Sequence, residues 1–336
     1  MVELSIIIIN YKSIDQIRDC LNSVYASKPL ISFEIIIVNN DPAFGKENPL
    51  LTYFPETRWL DMHYNSGFAR ANNEGIRQAG AEVVLLLNPD TVILQNALNN
   101  SFQQFIDSDY VACGVQLLNE DLSPQISGNY FVRGGLNYLL PLPYTGGFIR
   151  ALGNFFSVRA PHVANSHELI EVDWINGAYL MVKQSAIRKA GLMDEDFFLY
   201  SEEAEWCARL GKTGKLCIFG NVKVKHLQGV SSNEAFSSSG KGYYDLSDKR
   251  GRQIILSNLV RIRKQYGVLW YLFILGIYTV TIPVFFIGIL LSLFSPKSRR
   301  SYQLSDFYGF CWNMAYVWSK TPRILLNRPY FYKALK

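Results

Sequence analysis

The chain has 336 residues, 49% of them hydrophobic and 18% charged, which is enough to bury a large core and excludes a disordered chain. The net charge of +5 conceals an asymmetry: residues 249–336 hold 14 Lys/Arg against the single acid Asp306, and residues 1–248 sum to about −8. The five cysteines (Cys20, Cys113, Cys207, Cys217, Cys311) are odd in number and contain no CxxC pair, so they suggest neither a disulfide framework nor a zinc knuckle, and no nucleic-acid motif accompanies the basic charge.

The opening MVELSIIIINYK lacks a basic n-region and a cleavage site, so it reads as a first strand, Leu4 to Asn10, of a domain that stays in a reducing cytoplasm. A helical stretch follows from about Ile14 to Ala26, then a second apolar strand from Phe33 to Asn39. Strands without polar alternation, separated by helices, predict a parallel sheet covered on both faces. Ligands of such sheets collect beyond the carboxyl ends of the strands, here Asn10, Asn39 to Asp41, and Asn88 to Asp90.

NSGFARANNEGI, Asn65 to Ile76, places Asn65 and Gly67 just before a helix running from Phe68 to Ala79. Its first turns carry Arg70, Asn72 and Asn73, so free amides and a cation can face a phosphate or a base; an ordinary turn into an amphipathic helix explains the same residues. Strand Val83 to Leu87 then meets Asn88-Pro89-Asp90. Proline ends ladder pairing and carries Asp90 off the sheet, where a carboxylate can hold magnesium or manganese against a diphosphate. A plain turn, stabilised by Asp90, is the simpler account of the tetrapeptide by itself.

Residues 120–168, rich in Gly, Pro, Tyr and Asn, read as a lid or acceptor loop, and regular pattern resumes at Val172 to Val182. Helices are predicted at Ser185 to Ala190 and Glu202 to Leu210, and strands at Lys215 to Phe219 and Val222 to His226. Ser201 is placed to cap the second helix, whose first turns hold Glu202, Glu203 and Glu205, acids that the helix dipole favours. Glu202 and Glu205 share a face while Glu203 points elsewhere, so one acid can enter a cleft as a general base. Among His63, His162, His167 and His226 no zinc spacing occurs; His226 ends the last strand and can reach a metal. Ser231 to Gly242 reads as a flexible linker.

Taken in order, SIIIINY, EIIIVNN, NSGFARANNEGI, LLLNPDTVI, VDWINGAYLMVKQSAI, GLMDEDFFLYSEEAEWCARL and VKVKHLQGVS resemble the family 2 glycosyltransferases of the GT-A fold, in particular rhamnosyltransferase-like enzymes of bacterial surface polysaccharide assembly such as O-antigen or capsule. The resemblance spans about residues 3–232. It implies an α/β, Rossmann-like, mixed but mostly parallel sheet in a domain over residues 1–232, followed by a linker over 233–248 and a helical membrane-associated region over 249–336.

The resemblance also implies roles. Asn10, Asn39 and Asn40 fall on the nucleotide-base pocket, with Asn39 where the family commonly has Asp. Asn65, Gly67, Arg70, Asn73 and Asn88 fall on the donor-binding side. Asp90 matches the metal-ligating carboxylate, with His226 near the metal and phosphates. Glu203 matches the general base, with Glu202 as its alternative. Asp173, Trp174 and Gly177 line the acceptor side. The implied activity is the inverting, Mg2+- or Mn2+-dependent, non-processive transfer of one sugar, rhamnose from dTDP-rhamnose or otherwise a UDP-linked sugar, to a lipid-linked or growing glycan. The rival reading is a non-catalytic, membrane-associated sugar-nucleotide or glycan-binding subunit of the same fold, and a homo-oligomer is left open.

Val268 to Phe294 is an apolar run long enough for a spanning helix. Arg261, Arg263 and Lys264 precede it and Lys297, Arg299 and Arg300 follow, so the positive-inside rule disfavours sending either end across a membrane. With Pro283 near its middle, the run is expected to form a re-entrant or interfacial helix pair on the cytoplasmic face, with a single span as the alternative.

Overall fold

The computed structural model describes residues 2–44, 49–156, 161–163, 165–227, 245–294 and 301–334. In chain order the elements are β1 (Leu4–Asn10), α1 (Ile14–Ala26), β2 (Phe33–Asn39), α2 (Pro49–Tyr53), β3 (Arg58–Asp61), α3 (Gly67–Gln78), β4 (Val83–Leu87), β5 (Thr91–Ile93), α4 (Ala97–Ile106), β6 (Ala112–Leu118), β7 (Gly128–Asn129), a 3-10 segment (Arg133–Leu139) and α5 (Thr145–Phe155). They continue with β8 (His162–Val163), β9 (Leu169–Val172), β10 (Trp174–Ile175), β11 (Tyr179–Lys183), α6 (Gln184–Ala190), α7 (Glu202–Leu210), β12 (Leu216–His226), α8 (Lys249–Tyr266), α9 (Val268–Ser292) and α10 (Leu304–Leu326).

Two compact units emerge, one of Met1–Tyr130, His162–Phe198 and Glu202–Ser231, the other of Phe131–Pro161, Leu199–Ser201 and Ser232–Lys336. The first is built on a nine-stranded sheet in the order β3-β2-β1-β4-β11-β6-β12-β5, with β9 also paired to β12. Strands β3, β2, β1, β4, β6 and β12 run in one direction, and β11, β5 and β9 run against it, which is the mixed, mostly parallel α/β sheet expected. The unbroken apolar runs of β1, β2 and β4 follow from burial on both faces. Ile6, Ile8, Ile35 and Leu85 pack in one core with Cys20 and Leu21 of α1.

Three local features differ from the sequence expectation. The two strands predicted at 215–226 are one strand, β12, whose register shifts between Phe219 and Lys223 around Gly220 and Asn221. Residues 120–168 are not wholly irregular, because β7 and β8 join β10 in a small three-stranded sheet and α5 forms between them. Ser201 does not cap α7 in the expected manner: its φ is +68°, outside the extended backbone of a cap residue, and its hydroxyl donates to Asn258 Oδ1 at 2.6 Å.

The second unit is helical around α8, whose N-terminus is capped by Asp248 Oδ1 accepting from Gly251 N at 2.7 Å. Ile254, Ile255, Leu259 and Ile262 of α8 are fully buried, and α9 and α10 pack on it and on each other. The apolar run is a single continuous helix, α9, rather than a pair divided at Pro283. Proline removes one intrahelical hydrogen bond, but packing holds both halves in line. Tyr271, Ile274 and Tyr278 are buried before Pro283, and after it Phe285 is enclosed by the rings of Tyr144, Tyr302, Phe307 and Phe310. At about 37 Å, α9 is the one helix among the described residues long and apolar enough to cross a membrane. Residues 233–244 of the linker predicted over 233–248, and the basic cluster Lys297, Arg299 and Arg300, lie outside the described residues.

Candidate active site

The carboxyl ends of β1, β2 and β3 are in register, with Asn10 beside Asn39 and Asn39 beside Asp61. This alignment produces a polar edge. Asn10 Nδ2 donates to Asn39 Oδ1 at 2.8 Å, and Asn39 Nδ2 reaches Asp61 Oδ2 at 3.4 Å and the Asp41 carbonyl at 3.2 Å. Asn40 braces the next loop: its Oδ1 accepts from Ser66 N and Oγ at 2.8 and 2.7 Å, and its Nδ2 donates to the Gly67 carbonyl at 2.9 Å. Asp61, which no sequence pattern distinguished, brings a carboxylate beside the Asn39 amide.

Gly67 is where the chain turns into α3, and only glycine fits. Its φ is +76°, and a Cβ there would sit 2.2 Å from the Phe198 carbonyl oxygen, which accepts the Phe68 N–H at 2.8 Å. Asn65 Oδ1 accepts the Gly67 N–H at 3.2 Å. Arg70 and Asn73 of α3 are turned to the segment before α7: Arg70 Nε donates to the Glu195 carbonyl at 3.0 Å, and buried Asn73 exchanges two 2.9 Å bonds with the Met193 backbone. Glu195 also accepts from Arg77 at 2.6 Å and from Asn73 at 3.1 Å. Desolvation raises the pKa of this carboxyl, but the hydrogen bonds from Arg77 and Asn73 outweigh it and hold it below the ordinary value.

Asn88 to Thr91 is a turn, closed by Thr91 N and Oγ1 donating to the Asn88 carbonyl at 3.3 and 2.8 Å. Proline fits the second position of such a turn, and β5 starts immediately after it. Pairing of Thr91 with His226 across β5 and β12 then sets Asp90 beside His226. Both side chains are buried, with His226 Nε2 3.3 Å from Asp90 Oδ1. Gln125 orients the ring. Its Nε2 donates to the His226 carbonyl at 2.6 Å, which directs Oε1 toward His226 Nδ1 at 3.0 Å, so Nδ1 carries the hydrogen. His226 Nε2 and the Asp90 carboxylate are thus set side by side, with Asn88 Nδ2 3.5 Å from Nε2, and these residues would hold a divalent cation. A histidine whose other nitrogen donates to a carbonyl, beside a carboxylate, is a donor set that fits a divalent metal sharing its remaining positions with phosphates. No cluster of three or more His, Cys, Asp or Glu suited to a metal occurs among the described residues. Gln125 escaped notice in the sequence because it sits in the irregular stretch after β6.

One base candidate, Glu203, lies beside the segment that backs this turn. Asn88 N donates to the Ala178 carbonyl at 3.0 Å, and a side chain at the adjoining Gly177 would come within 3.8 Å of Glu203 Cβ. Glu202 is buried to 2% exposure, Glu203 is half-buried, and Glu205 is committed to Arg209 at 2.7 and 2.8 Å. Of the three acids, Glu203 is the one set beside Gly177, and its Oε2 is itself buried. Asp173 N donates to the Asn129 carbonyl at 3.0 Å, and Trp174 stands opposite Asn129 on β7. The indole N–H of Trp174 and Oδ1 of Asn129 are both buried and have no hydrogen-bond partner among the described residues.

Residues 5–157 match the profile described as glycosyl transferase family 2, a span that includes Asp90 and ends before α7. The low-salt glycan biosynthesis hexosyltransferase Agl10 of Haloferax volcanii is 27% identical over 263 residues, covering 74% of each chain. The N-acetylglucosaminyl-diphospho-decaprenol L-rhamnosyltransferase of Mycobacterium tuberculosis is 26% identical over 196 residues, 55% of this chain and 63% of that one. A crystal structure of GalNAc-T7 with UDP, GalNAc and Mn2+ superposes with a TM-score of 0.49 at 12% identity, covering 67% of this chain and 43% of that one. The chain thus spans less than half of that solved structure and under two thirds of the rhamnosyltransferase. Over residues 5–157 the chain is similar in sequence to glycosyl transferase family 2, and the hexosyltransferase relative extends that similarity over 263 residues.

Proposed function

We propose that the chain transfers a single hexose or deoxyhexose, with inversion, from a dTDP- or UDP-linked donor to a hydroxyl of a lipid-linked glycan in surface polysaccharide synthesis. The carrying observation is the buried Asp90–His226 pair, its ring orientation fixed by Gln125, at the carboxyl edge of the sheet. The relatives named as a hexosyltransferase of glycan biosynthesis and as a rhamnosyltransferase acting on a diphospho-decaprenol support the donor and acceptor classes.

In this reading Asn10, Asn39 and Asp61 frame the base, since an amide and a carboxylate side by side can meet both the donors and the acceptors of uracil or thymine. Mg2+ or Mn2+ held by Asp90 and His226 would offset the charge of the departing diphosphate. Trp174 stacks the acceptor sugar. Glu203 takes the proton of the attacking hydroxyl, which displaces the nucleoside diphosphate from the opposite face of the anomeric carbon. The apolar α9 and the basic balance of residues 249–336 support attachment at the cytoplasmic membrane surface, where a lipid-linked acceptor resides.

Release of nucleoside diphosphate from dTDP-rhamnose or a UDP-hexose, followed with and without Mn2+, tests this reading. Turnover of one donor that falls at least about a hundredfold in Asp90→Ala supports it; turnover indifferent to the metal and to Asp90 overturns it.

A further inference from the structure

Helix α5 lies in the helical unit with hardly any of itself packed. Of its 11 residues only Gly146 is buried. Phe148, Leu152 and Phe155 recur at i, i+4 and i+7 along one face, 66, 42 and 80% exposed, and Phe156 at its end is 69% exposed. An isolated helix of this length is marginal in water, and helices in proteins owe their stability to packing of an apolar face. Here that face has nothing on it among the described residues.

The same unit bears two further stripes of this kind. Along α9, Leu269, Phe273, Val280, Ile287 and Leu291 are exposed on the side away from buried Tyr271, Ile274 and Tyr278. Along α10, Leu304, Tyr308, Trp312, Trp318 and Leu326 are exposed. Helix α5 is tied to α9 directly: Thr281 Oγ1 donates to Thr145 Oγ1 at 3.1 Å, and Gly288 lies against the ring of Tyr144. Three neighbouring helices therefore show lipid-like surface, and α8, which α9 and α10 cover, is too charged to face lipid itself.

Charge selects the occupant. Residues 131–161 contain Arg133, Arg150 and Arg159 and no acid, and residues 249–336 contain 14 Lys/Arg and one acid. A second copy of the chain would set like charges against each other, whereas an anionic bilayer complements them. Tryptophan and tyrosine on α10 suit the headgroup level.

We infer that α5 is a lipid-inserting element, its Phe148/Leu152/Phe155 face immersed in the acyl boundary of an anionic bilayer together with the exposed faces of α9 and α10, so that the unit sits in one leaflet. The inference rests on the membrane reading given under Proposed function and extends it to a segment that precedes the apolar tail by more than a hundred residues. Helix α5 adds a second, separate contact, and two contacts give the firmer anchoring that one interfacial element lacks.

The test uses the full chain carrying Cys311→Ser, since the other four cysteines are buried. A polarity-sensitive nitrobenzoxadiazole label is placed on Phe155→Cys, on Leu272→Cys of α9, or on Tyr53→Cys of the sheet unit as a control. Vesicles are phosphatidylcholine and phosphatidylglycerol in equal parts, with and without nitroxide lipid. Insertion predicts a blue shift and nitroxide quenching at positions 155 and 272 and neither at 53. It also predicts a vesicle partition constant lowered at least about tenfold in Phe148→Ser/Phe155→Ser, with the helical circular dichroism of the unlabelled chain retained. Quenching at 272 with no change at 155 overturns the role of α5 and leaves the membrane reading standing. No co-flotation with vesicles overturns both.

Discussion

His226 Nε2 stands 3.3 Å from Asp90 Oδ1, both side chains buried, with Gln125 holding the opposite ring nitrogen at 3.0 Å. Three stretches far apart in sequence converge there: the turn after β4, the end of β12, and the loop following β6. Gln125 acts by positioning the ring, so Gln125→Leu should weaken Mn2+ affinity in the presence of nucleoside diphosphate by about 10- to 100-fold. Isothermal titration at constant nucleotide would measure it. An unchanged affinity would remove Gln125 from the site.

Glu203→Gln should lower turnover by roughly a hundredfold or more while leaving nucleotide affinity within about twofold, because the substitution removes a proton acceptor and keeps the shape. Glu202→Gln is the matched control. Greater loss in Glu202→Gln would move the base to the buried carboxylate.

Gly67→Ala places a methyl 2.2 Å from the Phe198 carbonyl oxygen at a φ of +76°. Strain and the lost Phe68–Phe198 bond together should destabilise the fold by about 2 kcal/mol or more. Chemical denaturation followed by tryptophan fluorescence would show it as a lower midpoint; a wild-type midpoint would mean the turn can relax.

Glu195 fastens the segment before α7 to α3, and its pKa is depressed because Arg77 and Asn73 outweigh desolvation. A carboxyl whose folded pKa is lowered stabilises the fold fully above its unfolded pKa, about 4.3, and loses that contribution as pH falls through the lower folded value. The melting temperature of the wild type should exceed that of Glu195→Gln by a constant amount near neutrality, and the gap should close toward pH 3. The side chain is 43% exposed, so solvent screening keeps the gap small. A gap that widened on acidification would contradict the assignment.

How much of this the sequence disclosed depended on whether the signal was local. The apolar runs of β1, β2 and β4 were readable because burial on both faces leaves an unbroken pattern, and α1 was readable from its period. Short β3 and β5 and the strand β6 were not resolved as elements, since pairing with β2 and β12 rather than their own composition creates them. Asp90 and His226 were each named from the sequence, but their meeting required the Thr91–His226 register. Asp61, Gln125 and Asn129 were invisible for the same reason: single polar residues become a site only through partners in other strands. Pro283 misled in the opposite direction, because tertiary packing around Phe285 carries α9 past it.

The most direct measurement is the thermal stability of the purified chain with dTDP, UDP and GDP, each with and without Mn2+, beside Asp90→Ala. Saturating ligand at about 100 times its dissociation constant adds roughly 2.7 kcal/mol. The account predicts a metal-dependent rise in melting temperature with dTDP or UDP that disappears in Asp90→Ala. An equal rise without metal, or one that survives in Asp90→Ala, would contradict the central role given to the Asp90–His226 pair.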